Sequence, residues 1–408
     1  MLRSGDQLCA ETVHPCQPGE QPPAMPWFLL ALPVAALLLG VLSGLRPTVV
    51  RPRPAARAAV GAGGAALCPV APLTVIVPAY DEAEHVADTI RSLQAQTLLP
   101  ERVLVVDDCS TDGTGAVAAA LGVEVLRPPV NTGSKAGAQN LALAQVSTEL
   151  TMAIDADTVL APDAIERLLP VFDEPRVVAG CGSVIPRHVR SLWERGRYVE
   201  YLVAFAFYKR IQDYFGRPMI SSGCFSAYRT EQLKDVGGWP TRTLAEDMDL
   251  TWTFYERGWG VRFVPDAVSY PVEPHDLGFM STQLRRWSHG FVQNVRVHWR
   301  GTARLPYLRM MITLGLWDGL LASLLYLLVL PVLAVLVDPL FLLAYVVDAP
   351  VLLVLVLFAG LERREPLRAV ASLPAFFVLR LTNAVFLLRA VWSEVVLDRR
   401  FDVYEKGH

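Results

Sequence analysis

The chain has 408 residues, of which 52% are hydrophobic and 19% are charged, and its mean hydropathy is +0.34. Soluble domains are roughly 45–50% apolar and about 25% charged, so this composition excludes a disordered chain and a purely soluble protein. The formal net charge of −3 gives no general attraction to phosphate, which excludes a typical nucleic-acid-binding protein. The six cysteines contain no Cys-x-x-Cys pair and are too scattered for a disulfide scaffold.

The first predicted element is a transmembrane helix over residues 26–45, an apolar run without charges. Its length is close to the roughly 20 residues that cross a bilayer as a helix. Arginines are concentrated in the following linker, residues 46–72, so the positive-inside rule places residues 1–25 outside and the linker in the cytoplasm. A cleaved signal peptide is the alternative. Cys9 and Cys16 would lie outside, either paired or free.

Residues 73–304 have the composition of an ordinary soluble domain. Two apolar, β-branched runs, 73–77 and 103–106, are typical of buried parallel strands, and helical spacing occupies 82–96 between them. This order predicts a βαβ unit and therefore an α/β fold with a mostly parallel sheet. Such sheets bind ligands at the carboxyl ends of their strands.

Candidate binding residues follow the strands of this unit. They are Pro78, Tyr80 and Glu82 after the first strand, and Asp107 and Asp108 after the second. A later apolar run ends in Asp155 and Asp157, two carboxylates that repel each other unless a cation lies between them or one is protonated. Carboxylate oxygens suit Mg²⁺ or Mn²⁺, particularly beside substrate phosphates. A loop that caps the following helix is the alternative for this pair.

Three further segments carry candidate chemistry. Lys135 stands near a predicted helix start, where backbone donors and an ammonium group suit an anion. Glu246, Asp247 and Asp249 open another helix, either as complements to its dipole or with one of them as a general base. The segment 283–290 places arginines beside a tryptophan, as an anchor at the membrane interface or as a clamp for a diphosphate beside a sugar.

Apolar character returns in residues 305–360, where the runs 310–337 and 340–360 predict a membrane hairpin. Asp318 and Asp348 interrupt these runs and, with Arg380 further along the chain, are candidates for a polar path through the bilayer. For Asp318, which lies near an end of its run, contact with the lipid headgroups is the alternative. Residues 361–408 form the last predicted region. Within it, 369–396 contains several charges, and Pro374 should break its helical hydrogen bonding. We therefore expect a re-entrant or interfacial helix with the terminus inside, and a full crossing is the alternative.

Six motifs in order resemble those of one enzyme family: PAYDE, VDDCSTDGT, NTGSKAGAQN, DADT, AEDMD and QLRRW. Together with the predicted membrane segments, they resemble processive family 2 glycosyltransferases. The resemblance is greatest to bacterial poly-N-acetylglucosamine synthases, then to hyaluronan, chitin and cellulose synthases. The Thr-Glu-Asp motif of the family reads Ala-Glu-Asp here, so the threonine is absent and the acids remain.

The resemblance implies a GT-A nucleotide-sugar-binding domain in the cytoplasm, anchored in the plasma (inner) membrane by several spans. It implies inverting transfer from a UDP-sugar, with UDP-N-acetylglucosamine favoured, Mg²⁺ or Mn²⁺ as cofactor, and a growing glycan or lipid-linked acceptor. Membrane lipids and a small accessory membrane subunit are further expected partners. The alternatives are a non-processive transferase that adds one sugar to a lipid carrier or membrane lipid, and an inactive membrane scaffold.

Carried onto this sequence, the family's motifs assign roles to individual residues. Pro78, Tyr80, Glu82, Asp107, Asp108 and Lys135 would bind the nucleotide and its phosphates, with Asp155 and Asp157 holding the donor and the metal. Glu246 and Asp247 form the acidic motif, in which Asp247 is the general base. Gln283 and Arg286 would grip the diphosphate and acceptor region, Trp287 would stack on the acceptor sugar, and Ser222 and Gly223 would line the acceptor pocket.

Overall fold

A computed structural model describes residues 70–401 of the chain. The predicted transmembrane helix at 26–45, most of the linker, the cysteines at positions 9 and 16 and the last seven residues lie outside the described residues, and the predictions made for them stay predictions.

The centre of the molecule is an eight-stranded sheet with the strand order β3-β2-β1-β4-β7-β6-β8-β5. The strands are β1 Val70–Ala79, β2 Leu99–Asp107, β3 Glu124–Leu126, β4 Leu150–Ile154, β5 Val159–Leu160, β6 Val177–Val184, β7 Phe225–Arg229 and β8 Gly260–Tyr270. The pairs β1–β2, β1–β4, β2–β3 and β6–β8 are parallel, whereas β7 runs antiparallel to β4 and β6, and β5 runs antiparallel to β8. The predicted α/β fold with a mostly parallel sheet is confirmed.

Helices lie around the sheet and also form the segments that follow it in the chain. They are α1 Val86–Gln94, α2 Thr114–Ala120, α3 Lys135–Leu143, α4 Ala164–Leu168, α5 Leu192–Val203, α6 Lys209–Tyr214, α7 Thr230–Asp235, α8 Glu246–Glu256, α9 Leu277–His298, α10 Pro306–Leu324, α11 Leu330–Leu336, α12 Ala349–Glu362 and α13 Pro366–Val391. Turns of π-helix at Ala204–Tyr208 and Leu325–Val329 join α5 to α6 and α10 to α11.

Burial explains why β1 and β4 lie at the centre of the sheet. All five residues of β4 are buried, and Leu73, Val75 and Val77 of β1 are inaccessible to solvent. Alternation of side chains across a strand therefore delivers apolar groups to both faces, where helices cover them. The helix expected from position 82 begins at Val86, because Glu82 accepts backbone hydrogen bonds in a preceding turn.

Three helical segments of the described chain are long and apolar enough to cross a membrane: Pro306–Leu336, Pro339–Glu362 and Pro366–Val396. Their length and composition indicate membrane association. We expected Pro374 to break the third segment, but α13 runs through that residue without interruption. Proline removes one helical hydrogen bond, which neighbouring helices can compensate. How this segment lies relative to a bilayer stays a prediction.

The sheet domain packs directly against α13, the helix of the third apolar segment. Ser191 and Glu194 form a capping box that starts α5. Further along α5, a Cβ atom at Gly196 would lie 3.0 Å from the Ala375 carbonyl oxygen and 3.0 Å from the Leu379 Cβ atom of α13. Glycine is therefore required for the close approach of these two helices.

Candidate active site

The two carboxylates of the DADT motif lie at the carboxyl end of the central strand β4. The Asp157 carboxylate accepts a 3.1 Å hydrogen bond from the Thr158 hydroxyl. Burial raises the pKa of Asp157 well above its ordinary value, and the neighbouring Asp155, Glu82 and Glu273 carboxylates raise it further. Negative charge is therefore concentrated at the end of β4, and neighbouring positive groups neutralise only part of it.

Lys135 lies at the centre of the candidate site. It is the first residue of α3, whose N-cap Ser134 accepts a 3.1 Å hydrogen bond from Gly137. Its ammonium group pairs with Asp155, lies 3.6 Å from Glu246 and donates a 3.1 Å hydrogen bond to the Gly223 carbonyl. One cation thus connects the end of β4, the start of α8 and the loop before β7.

Asp247 occupies the start of α8 and faces the same loop. Its two carboxylate oxygens accept 2.8 Å hydrogen bonds from the backbone N–H groups of Gly223 and Met248. The neighbouring Glu246 is buried, and burial raises its pKa, although Lys135 and Arg286 act in the opposite direction. Asp247 remains partly exposed and oriented, which is the geometry that a general base requires.

The third acid of this segment, Asp249, has a structural role. It is inaccessible to solvent and pairs with Arg242 at 2.7 Å and with His298 at 2.9 Å. These partners tie α8 to α9 and leave the carboxylate turned away from Asp247. Asp249 is therefore not a candidate base.

The residues predicted to bind the nucleotide follow β1 and β2, and the two strand ends are joined by a 2.9 Å hydrogen bond from the Asp108 amide to the Ala79 carbonyl. Asp108 accepts 2.8 Å bonds from the Thr132 amide and hydroxyl, and Asp107 pairs with Arg127. Both carboxylates are thus engaged in positioning the loop before Lys135.

The remaining three predicted nucleotide-binding residues lie at the end of β1. Pro78 is within the strand, opposite Val106 of β2. Tyr80 is 43% exposed, whereas Glu82 is buried and lies close enough to Asp157 to raise the pKa of Asp157. A base-stacking role is therefore compatible with Tyr80, and Glu82 belongs to the acidic group around β4.

The predicted acceptor residues of the QLRRW motif lie on α9, which Asp276 caps by accepting a 3.0 Å hydrogen bond from Phe279. Trp287 is 38% exposed, and Gln283 is hydrogen-bonded within the protein. Arg286 lies near enough to Glu246 to lower its pKa, which places it beside the start of α8.

Ser222, predicted to line the acceptor pocket, accepts a 2.7 Å hydrogen bond from the buried Lys209. Its neighbour Gly223 touches both Lys135 and Asp247, as described above. The structure therefore brings the Ser-Gly loop, the lysine and the acidic motif into one cluster.

Two buried charged residues near the QLRRW helix were missed from the sequence. Arg197 of α5 has no solvent-accessible surface, and Glu273, which precedes α9, is 4% exposed. Burial raises the pKa of Glu273 to about 7, against the opposing effects of Arg197, Tyr201 and Gln283. Because Glu273 also raises the pKa of Asp157, it lies between the β4 end and α9. The same helix carries the exposed Arg195, and nothing in the local sequence distinguishes Arg197 from it.

The charges around β4 fit a divalent cation bound together with a phosphate-bearing ligand. Within residues 70–401, no three His, Cys, Asp or Glu side chains are arranged to hold a metal by themselves. Asp155 and Asp157 supply hard oxygen ligands, and the raised pKa of Asp157 reflects negative charge that a cation would neutralise. Mg²⁺ and Mn²⁺ commonly take one or two carboxylates and complete their shell with substrate phosphates and water.

Comparison with known proteins identifies relatives of this domain. Residues 74–237 match glycosyl transferase family 2. The poly-beta-1,6-N-acetyl-D-glucosamine synthase of Staphylococcus epidermidis is 28% identical over 223 residues, which cover 53% of this chain and 54% of the relative. The same enzyme of Staphylococcus aureus (strain COL) is 26% identical over 222 residues, with the same coverage. The chain thus spans about half the length of the curated relatives it matches.

A solved structure resembles the whole fold. It is a mannosyltransferase from Pyrobaculum calidifontis in complex with GDP-Man and Mn²⁺, with a TM-score of 0.56 and 21% sequence identity. The superposition covers 88% of this chain and 97% of that chain. The shared architecture is the GT-A fold, as the sheet topology indicates.

Proposed function

We propose that this chain, whose residues 74–237 belong to glycosyl transferase family 2, polymerises a β-linked polysaccharide from a UDP-sugar at a membrane. UDP-N-acetylglucosamine is the favoured donor, since the curated relatives are named as synthases of an N-acetylglucosamine polymer. The observation that carries the proposal is the contact chain from Asp155 through Lys135 and Gly223 to Asp247. It joins the proposed donor-binding carboxylate to the proposed base.

Asp247 acts on the acceptor. Its carboxylate takes the proton of the acceptor hydroxyl as that oxygen attacks the anomeric carbon of the donor sugar, and the bond from this carbon to the UDP oxygen breaks. Attack from the face opposite the leaving diphosphate inverts the configuration once. The hydrogen bonds from Gly223 and Met248 fix the carboxylate for this transfer and favour its charged form.

Other side chains of the site bind the donor and stabilise the leaving group. Lys135 and Arg286 provide positive charge for the departing diphosphate. Asp155 and Asp157 would hold Mg²⁺ or Mn²⁺, which neutralises diphosphate charge when bound. The exposed Tyr80 ring stacks on the uracil base, with Pro78, Glu82, Asp107 and Asp108 around it. On the acceptor side, Trp287 stacks on the terminal sugar, with Gln283, Ser222 and Gly223 beside it.

The proposed setting is the plasma (inner) membrane, with the catalytic domain, residues 73–304, in the cytoplasm. The apolar segments beyond it anchor the enzyme among membrane lipids, and polymer export beside them accompanies synthesis, with or without a small accessory subunit. Asp348 and Arg380 contribute a polar pair within these segments, joined by hydrogen bonds of 3.0 and 2.8 Å. Intramembrane charges commonly mark a transport path.

The test is transfer by the purified full chain, incubated with UDP-N-acetylglucosamine and Mg²⁺ or Mn²⁺. We expect UDP release and long products, whereas single-sugar adducts would favour the non-processive alternative. Asp247→Asn should lower transfer by roughly 10²–10⁴-fold, the usual contribution of a general base, and retain UDP binding. Asp163→Asn is the matched control, since Asp163 pairs with the exposed Arg167 on α4. Normal turnover of Asp247→Asn would remove this residue from the mechanism.

The proposed metal site has a separate test in UDP binding. Asp157→Ala should remove the dependence of UDP affinity on Mg²⁺ or Mn²⁺ while the protein keeps its thermal stability. Titration curves that coincide with and without the cation, in the unsubstituted protein, would contradict the metal role.

A further inference from the structure

Arg197 contacts Gln283 and Trp287, two of the proposed acceptor-binding side chains. One terminal nitrogen, Nη2, donates a 2.6 Å hydrogen bond to the Gln283 side-chain oxygen. The guanidinium carbon lies 4.5 Å from the centre of the Trp287 ring. A flat guanidinium group stacks on an aromatic face and donates in its own plane at the same time, which an ammonium group cannot do.

Two carboxylates pair with this guanidinium group. Its Nη1 pairs with Glu200 of the same helix, and its Nε lies 3.4 Å from Glu273. Glu273 is fixed in turn by a 2.8 Å hydrogen bond from the Tyr201 hydroxyl. Arg197 has no solvent-accessible surface, so its charge depends on these partners.

Glu200 also connects Arg197 to α13, the third apolar helix. The second oxygen of Glu200 accepts a 3.2 Å hydrogen bond from Asn383 of α13. One turn earlier on α5, Gly196 gives the close backbone approach to Ala375 and Leu379. The placement of α5, and hence of the arginine, is therefore determined by a helix that lies outside the sheet domain.

We propose that Arg197 is a positioning residue that aligns Gln283 and Trp287 for the acceptor sugar and fixes this alignment to α13 through Glu200 and Asn383. The inference rests on the proposed function, because it assigns the acceptor to α9. Arg197 itself touches neither the donor nor the reacting atoms. It acts by setting the position of the acceptor hydroxyl relative to the Asp247 carboxylate.

The test uses Arg197→Lys and Arg197→Met in the full chain, with UDP-N-acetylglucosamine as donor and a β-linked N-acetylglucosamine oligomer as acceptor. Lysine keeps the charge and loses the planar fork, and methionine loses both. We expect the acceptor KM of Arg197→Lys to rise by roughly ten-fold or more, because small misplacements of a bound reactant have effects of that order. Products should shorten, while hydrolysis of the donor without acceptor should change by less than about two-fold.

Two further variants separate positioning from general stability. Asn383→Ala, which touches no proposed binding residue, should raise the acceptor KM in the same direction and to a smaller extent. The double variant Arg197→Lys with Gln283→Ala should lose less than the sum of the two single effects, since residues that act partly through one another are not additive. Arg102→Lys is the matched control, because it removes another arginine fork, on Glu124, at the far edge of the sheet.

The outcomes separate a failure of this inference from a failure of the proposed function. A wild-type chain that transfers no sugar would overturn the proposed function, and the inference with it. An active wild-type chain whose Arg197→Lys variant keeps the acceptor KM and product length would overturn the inference alone. Equal losses of donor hydrolysis and transfer, together with additive effects in the double variant, would assign Arg197 to general stability. If the arginine variants do not fold, an unchanged acceptor KM in Asn383→Ala overturns it.

Discussion

The contact between Gly223 and Asp247 allows a prediction from a single added methyl group. In Gly223→Ala, the new Cβ atom would lie 3.2 Å from an Asp247 carboxylate oxygen and 3.2 Å from the Lys135 ammonium nitrogen. Ordinary contacts of a Cβ atom begin near 3.4 Å, so at least one of these groups must move by a few tenths of an ångström. Both belong to the proposed catalytic group, and the carboxylate is held by two backbone hydrogen bonds.

The size of the effect follows from the precision that catalysis requires. Catalytic groups must stay within about 0.5 Å of the productive geometry, and a displacement of about 1 Å can reduce the rate by roughly 10²-fold. We therefore expect Gly223→Ala to lower kcat by about ten-fold, equivalent to about 1.4 kcal/mol in the activation free energy. The backbone of Gly223 is not in the left-handed region, so alanine brings no conformational strain of its own.

The assay is release of UDP in the presence of acceptor, with thermal unfolding measured on the same samples. Gly315→Ala provides the matched control, because a Cβ atom at Gly315 would meet nothing within 4 Å. A Gly223→Ala variant with wild-type kcat and acceptor KM would refute the assignment of Asp247 and this loop to the reaction.

Two further predictions concern stability. Both ring nitrogens of His298 are hydrogen-bonded, to Asp249 at 2.9 Å and to Glu256 at 2.8 Å. Burial lowers the pKa of His298, but the two carboxylates outweigh this effect and raise the pKa above its ordinary value. The stabilisation is complete below the unfolded-state pKa, about 6.5, and is lost as pH rises through the higher folded-state pKa. His298→Gln should therefore flatten the dependence of thermal stability on pH above about pH 6.5. A wild-type slope in that variant would contradict the charged pair. In the apolar segments, Arg380→Met should lower the melting temperature, and adding Asp348→Leu should restore much of the loss, since a carboxylate left without its partner among apolar helices costs more than an absent pair. Equal melting temperatures for the single and double variants in detergent would contradict that account.

Much of the sheet and the acidic cluster follow from local sequence. The apolar runs in β1, β2 and β4 are long enough to predict buried strands, and carboxylates directly after a strand must fall at one edge of the sheet. The position of Asp155 follows from that rule, whereas Asp247, which opens a helix, is assigned to the site by the family resemblance.

The remaining features depend on contacts between distant segments. Arg197 and Glu273 are separated by 76 positions, from 197 to 273, and neither segment alone indicates a buried ion pair. Asp249 looks like its two acidic neighbours in sequence, and only its bonds to Arg242 and His298 show that it faces the other way. Pro374 suggested a broken helix, because the compensating packing of neighbouring helices is not visible in local spacing.

The glycine contact between α5 and α13 links the enzyme to the thickness of its lipid surroundings. Where Pro366–Val396 crosses a bilayer, a thicker or thinner hydrocarbon layer changes the tilt of that helix. Because Gly196 has no side chain and lets α5 pack closely on the Ala375 carbonyl and the Leu379 side chain of α13, a change in the tilt of α13 would also move α5. The length of the acyl chains around the protein would thus become a variable of sugar transfer, one that reconstitution into vesicles of graded chain length would measure.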